Sequence, residues 1–252
     1  MTADHSFGIF AATLFCCLGG PASAQEEPSV FIDPDAGQLL MSAARQIKNV
    51  DAYSVRVDAT FDTVLHSGAK VEHTRESDVI VRRPDGIFAD QWDDTGVYRQ
   101  IFYDGKKFTL LDVYKGVYGQ IDVPPSIDAA LDVAIDEFGL DAPLADFLTS
   151  DTEKSFRTGV TLGVYVGTSV INEIPVHHLY FSHQLVDFQV WIDMEGAPLF
   201  RKIVITYKNR PGSPQYRAVF SDWDFSPQFD NSDFIFDGAS SAQQIEVLKV
   251  KK

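Results

Sequence analysis

From Tyr53 onward the chain alternates. Tyr53, Val55, Val57, Ala59, Phe61 and Leu65 share one parity, while Ser54, Arg56, Asp58, Thr60 and Asp62 share the other. A helix would scatter those sets around its circumference, whereas a strand sends them to opposite faces. The segment therefore reads as a long strand with one face buried and one face wet, the pattern of an antiparallel sheet. Ser67-Gly68 turns it back into a second strand ending at Val79-Ile80-Val81. Further short strands follow, separated by Asp94-Thr95-Gly96, Asp104-Gly105 and Lys115-Gly116. Asp104-Gly105 has the composition of a type I′ hairpin turn, in which both central residues take positive φ.

Two stretches break the alternation. Before the first strand, Asp33-Pro34 reads as an N-cap followed by proline at the first helical position. Leu39, Leu40, Ala43 and Ile47 then recur at helical spacing, so residues 34–48 are expected to form an amphipathic helix. Between Pro124 and Thr158, Ser126 caps a second helix with a stripe of Ile127, Leu131, Ile135 and Phe138, closed by Gly139. Pro143 opens a short third helix with Leu144, Phe147 and Leu148. Strand patterning resumes at Val160, Leu162, Val164 and Val166. It runs on through Trp191, Ile203-Val204-Ile205 and Tyr216 to Asp222-Trp223-Asp224. The expectation is a mainly β, α+β fold of about eleven strands in two runs, with a helix before the first and helices between the two. A sheet of that size has to close, split or be covered, and the helical insert is the obvious cover.

Phe7 to Leu18 is nearly all apolar but too short to span a bilayer, which takes about 20 such residues. Ala22-Ser23-Ala24 supplies the small-x-small pattern of a signal-peptidase site. Residues 1–24 are thus expected to be a signal peptide cleaved after Ala24, leaving residues 25–252 as a single exported, periplasmic domain. Phe15 stands where a lipobox needs a small residue, which argues against lipid modification at Cys16. Both cysteines of the chain lie in this segment. The mature protein would then have no disulfide, thiolate zinc site or cysteine nucleophile, and burial alone must hold it. No later stretch is long and apolar enough for a transmembrane helix. The formal charge of −15 opposes phosphate backbones, so nucleic acid is not an expected partner.

Several landmarks recur in a fixed order: Val81-Arg82-Arg83-Pro84, Tyr103-Asp104-Gly105-Lys106-Lys107-Phe108, Trp191-Ile192-Asp193 and Phe234-Ile235-Phe236. In these the chain resembles the lipoprotein-carrier (LolA/LolB-like) superfamily. It resembles more closely a family known only as predicted periplasmic proteins of unknown function. That closer match takes in Pro143-Leu144-Ala145-Asp146, Tyr165-Val166-Gly167-Thr168, His177-His178-Leu179 and Ser221-Asp222-Trp223-Asp224. The resemblance implies an incomplete antiparallel barrel with helices as a lid over an apolar cavity. It also implies a latch, because the superfamily's arginine before the strand-motif proline bonds to the lid, and that position is Arg83. One departure is Asp237-Gly238, where family members usually carry a proline pair, so the terminal strand is expected to end differently.

The expected ligand wall combines Tyr53, Val55, Val57 and Phe61 of the first strand with the insert residues Ile127, Leu131, Ile135, Phe138, Leu144, Phe147 and Leu148. Ordinary core packing accounts equally well for part of that stripe. His177 and His178 are adjacent in a strand and point to opposite faces, and His177 with His183 lacks a carboxylate cluster, so no metal is expected. Asp193, Asp222 and Asp224 stand beside aromatics in the manner of acid–base carboxylates, yet nothing in the sequence sets their separation. No serine elbow, phosphate loop or zinc-protease motif occurs. The function expected is therefore a non-catalytic periplasmic carrier of a lipidated or otherwise apolar ligand, with no cofactor. A ligand-sensing or protein-interaction module of the envelope is the alternative, and a hydrolytic enzyme comes third.

Overall fold

The computed structural model describes residues 30–238 and 241–250. The expected signal peptide and its cleavage site lie outside the described residues. The helix α1 spans Pro34–Lys48 and begins as expected. The Asp33 carboxylate accepts hydrogen bonds from the amides of Asp35 (2.8 Å) and Ala36 (3.3 Å), and Ala36, Leu40, Ala43, Ala44 and Ile47 are buried.

The first run of strands comprises β2 (Ala52–Val64), β3 (Lys70–Arg82), β4 (Gly86–Asp93), β5 (Tyr98–Tyr103), β6 (Lys107–Asp112) and β7 (Val117–Asp122). The insert follows as α2 (Ile127–Asp136), α3 (Ala145–Leu148) and α4 (Thr152–Arg157). The second run is β8 (Val160–Ile171), β9 (Ile174–His183), β10 (Val186–Asp193), β11 (Phe200–Tyr207) and β12 (Gln215–Asp224). These antiparallel strands match the expected number. Two short strands extend the edges in parallel: β1 (Phe31–Ile32) beside β8, and β13 (Gln243–Ile245) beside β7. The single sheet runs β1-β8-β9-β10-β11-β12-β2-β3-β4-β5-β6-β7-β13 and does not close. Its two runs meet where β12 pairs with β2.

The inner face carries most of the core. Tyr53, Val55, Val57 and Ala59 of β2 are buried there with Val81, Ile87, Tyr103, Leu179, Val190 and Phe220. α1 and the insert lie over it. Ser126 caps α2 through the Ala129 amide (3.3 Å). Gly139, at φ 71°, ends the turn that follows, its amide bonding to the Ile135 carbonyl (3.0 Å) in the left-handed closure glycine permits.

Three local expectations change. At the β5–β6 turn only Gly105 has positive φ. The Asp104 side chain instead accepts from the amides of Lys106 (2.9 Å) and Lys107 (2.8 Å), an Asx-type turn rather than type I′. Positive φ at both central residues occurs at Asn172 (47°) and Glu173 (67°), between β8 and β9. The second change is at Phe234-Ile235-Phe236, which is no strand. Phe234 is the last residue of a 3-10 helix at Asn231–Phe234 and is buried against Gly86, while Phe236 packs on Phe102 and Tyr118. Finally, β12 bulges at Asp222, whose φ is 51°, and the register with β2 shifts there. The bulge turns Trp223 inward onto Tyr53 and Phe220, and leaves Asp222 and Asp224 exposed.

Candidate functional site

α3 is the part of the insert that closes on the inner sheet face. Phe147 is its anchor. The ring is buried and meets Phe156 (5.0 Å), Phe200 (5.0 Å) and Phe220 (4.9 Å). Beside it, Leu144 and Leu148 face Tyr53, Val55 and Val57 across an apolar cavity of about 130 Å³. Val79, Ile87, Ala89, Ile101, Phe108, Phe220 and Trp223 add to the apolar wall, and Arg75, Gln91 and Asp141 also border it. Alternation marks the strand positions among them only as inward, and Trp223 not even that, because its orientation depends on the bulge.

The carbonyl end of α3 is held from the sheet. Arg83 donates through Nη1 to the carbonyls of Leu148 (2.8 Å) and Thr149 (2.6 Å), and through Nη2 to Phe147 (3.5 Å). The Tyr53 hydroxyl donates to the same Phe147 carbonyl (2.9 Å). A guanidinium suits this task because its donors are fixed in a fork and its charge is permanent. Burial pushes the Tyr53 phenol far above its ordinary value, with the Arg83 charge pulling the other way. The hydroxyl is therefore a protonated donor. Ion pairs tie α4 to α1: Lys48 to Asp151 (2.7 Å) and Glu153 (3.3 Å), and Arg45 to Glu153 (2.7 Å).

The other expected wall residues fall elsewhere. Ile127 and Leu131 are buried in the core, and Ile135 packs against its margin without bordering the cavity. Phe61 lies further along β2, against His73 and under Arg75. Phe138 helps roof a second cavity of about 770 Å³, which also borders β5–β7 and the C-terminal segment. A third, about 640 Å³, lies beyond α3. Its floor includes Phe156, Phe188, Ile203 and Ile205, and its rim includes Asp128, Asp132 and Asp146. Asp146 is open to that cavity, but the protein crowded around it raises its carboxyl above the usual range, and His183 opposes the shift.

The histidines take separate partners. His177 Nδ1 lies 3.0 Å from the Tyr165 hydroxyl, while His178 pairs with Gln189 (2.9 Å) and stacks on Trp191. His183 Nδ1 accepts from the Leu185 amide (3.2 Å). Among the described residues no three His, Cys, Asp or Glu side chains form a metal-sized group. Asp193 is gripped by Arg201 at 2.8 Å and 3.0 Å, and Asp222 and Asp224 stand exposed at the β12 bulge.

An open antiparallel sheet wrapped around an apolar interior, with helices inserted between its two strand runs as a cover, defines an incomplete, lidded half-barrel. The chain belongs to the family described as predicted periplasmic protein (DUF2092), whose model matches residues 36–248. No curated protein matches it in sequence. Among solved structures it is similar to the lipoprotein LppX of Mycobacterium tuberculosis, at 17% identity and a TM-score of 0.48, covering 79% of this chain and 100% of that one. LprF from Mycobacterium bovis is similar at 14% identity and a TM-score of 0.48, over 79% and 96% of the two chains. A LolA superfamily protein from Nitrosomonas europaea is similar at 9% identity and a TM-score of 0.41, over 80% and 98%.

Proposed function

We propose that the protein is a non-catalytic carrier in the cell envelope, holding an apolar or lipidated ligand between the inner sheet face and the α3 lid. One observation carries this reading. A short helix with an apolar underside covers an apolar cavity, and side-chain donors from the sheet hold it at its carbonyl end. A four-residue helix has little stability of its own. Its position depends on Phe147 and on those donors, so it is suited to move.

The closed cavity, at about 130 Å³, has room for a group no larger than a benzene ring, which an apolar cavity of about 150 Å³ accepts. This favours a second reading, an interaction module with a filled interior, unless the lid yields. Apolar burial is strong enough to drive such a displacement, at about 0.8 kcal/mol per methylene taken from water. Against a membrane, where the chain is already out of water, the net preference is near zero, which suits a carrier that has to release its cargo.

The test is titration of the folded protein with a fluorescent long-chain fatty acid. Saturable binding is expected, weakened at least tenfold by Leu148→Glu, because a buried carboxylate without a partner is costly. No saturable binding by the wild type, or equal binding by the variant, removes the carrier reading and leaves the interaction module.

A further inference from the structure

The cavity of about 770 Å³ lies within the size range of small-ligand sites, about 300–1,000 Å³, whereas the space under α3 does not. The C-terminal segment forms one of its walls. β13 pairs with β7, the Gln243 amide bonds to the Gly116 carbonyl (2.8 Å), and the Val250 amide reaches the Glu137 carbonyl beyond α2 (2.8 Å). The segment is closely fitted. A Cβ on Gly119 would lie 2.7 Å from Val247, and one on Gly139 would lie 2.8 Å from Val250. Phe108, Leu110 and Ile121 form the sheet side of this chamber, and Phe138 and Leu140 form its roof. Phe108, Leu140 and Asp141 also border the space under α3, so the two share a wall.

One cation lining the chamber makes no hydrogen bond to a described residue. It is Arg99, which lies half-buried on the inner parity of β5 with Ile101 and Tyr103. The neighbouring Asp112 is within electrostatic reach, but its carboxylate accepts from the Lys115 side chain (2.7 Å) and amide (3.0 Å). Asp141 stands 3.8 Å from Arg210, and Glu246 is on the exposed segment. Five donors in a fixed fork on the wall of a largely apolar groove match a carboxylate or phosphate at the end of an alkyl chain.

We propose that the cargo is a long-chain anion whose tail passes from under α3 into the chamber behind the C-terminal segment, and whose acidic head is bound by Arg99. The assignment rests on the carrier reading and adds to it the ligand class and the orientation. Competition binding with four probes of one chain length tests it: palmitate, hexadecyl phosphate, hexadecanol and hexadecylamine.

The wild type is expected to bind the two anions about tenfold more tightly than hexadecanol, the size of one charge-assisted hydrogen bond, and to bind hexadecylamine most weakly. The stronger anion identifies the head as carboxylate or phosphate. Arg99→Gln should bring the anions to the level of hexadecanol while weakening hexadecanol far less than either anion, and Arg99→Lys should retain part of the preference. Equal binding of all four, or an equal loss for anion and alcohol in Arg99→Gln, overturns the head assignment and leaves the carrier reading standing. No binding of any probe overturns both.

Discussion

Tyr53 and Arg83 sit side by side at the open end of the β2–β3 hairpin, and both reach the carbonyl end of α3. Arg83→Leu removes the fork and leaves the Leu148 and Thr149 carbonyls without that donor. Hydrogen exchange should show α3 and α4 amides losing about ten- to a hundredfold in protection, as expected for one or two lost bonds to a charged donor, while β9–β11 amides are unchanged. Uniform loss across the sheet would mean that Arg83 holds the fold rather than the lid. The Tyr53 bond carries a pH signature. The folded phenol is shifted upward by burial, so the stability it contributes is complete below the ordinary value of 10.0 and declines as pH rises above it. Loosening of the lid should therefore begin only above about pH 10, the ordinary phenol value, and Tyr53→Phe should abolish that dependence. Arg83 could be marked in the sequence because Val81-Arg82-Arg83-Pro84 carries a resemblance. The hydroxyl of Tyr53 could not be, since alternation tells which way a ring points and not which carbonyl it meets. Trp223 was hidden for a related reason: its orientation depends on a bulge at a non-glycine residue.

At the scale of elements, capping chemistry placed α1 and α2 well, because Asp33 and Ser126 act locally. α4 carries the same cap in Asp151 but no apolar stripe behind it. Its sequence has a single buried aromatic, Phe156, and it depends on Asp151 at its cap and on ion pairs to α1 more than a hundred residues earlier. The apolar stripe of the insert was legible as a stripe but not as two different things. Ile127 and Leu131 are core, whereas Leu144 and Leu148 border a cavity. The distinction predicts opposite failures. Leu131→Glu places a charge in the core and should lower unfolding free energy by about 3–5 kcal/mol in denaturant titration, the range for large core disruptions. Leu148→Glu, at a partly buried position, should lower stability by clearly less and weaken the ligand by more. If the two variants behave alike, the insert is uniformly structural.

The two strand runs were visible in the sequence, but not the way they join. Pairing between strands far apart along the chain leaves no local mark, so the β12–β2 contact appears only in the fold. At that seam the Asp62 carboxylate accepts from the Gln215 amide (2.9 Å) and Arg217 (3.1 Å), with Lys70 at 3.6 Å. Desolvation works against its charge, but these partners prevail and hold its pKa below the usual carboxylate value. Its stabilisation is thus present above the unfolded value and is lost as pH falls through the lower folded one. Asp62→Asn should flatten the acid limb of a stability–pH curve, and an unchanged limb would show that the seam does not depend on it.

The seam also orders events in time. Arg217 and Asp62 are separated by 155 residues of chain. As the polypeptide emerges from the export channel, β2 can pair with β3 at once, but its other edge waits for nearly the whole remaining sequence. A contact of such separation forms late. For that interval the future centre of the sheet is an open margin, lined with backbone donors and acceptors that any extended chain could pair with.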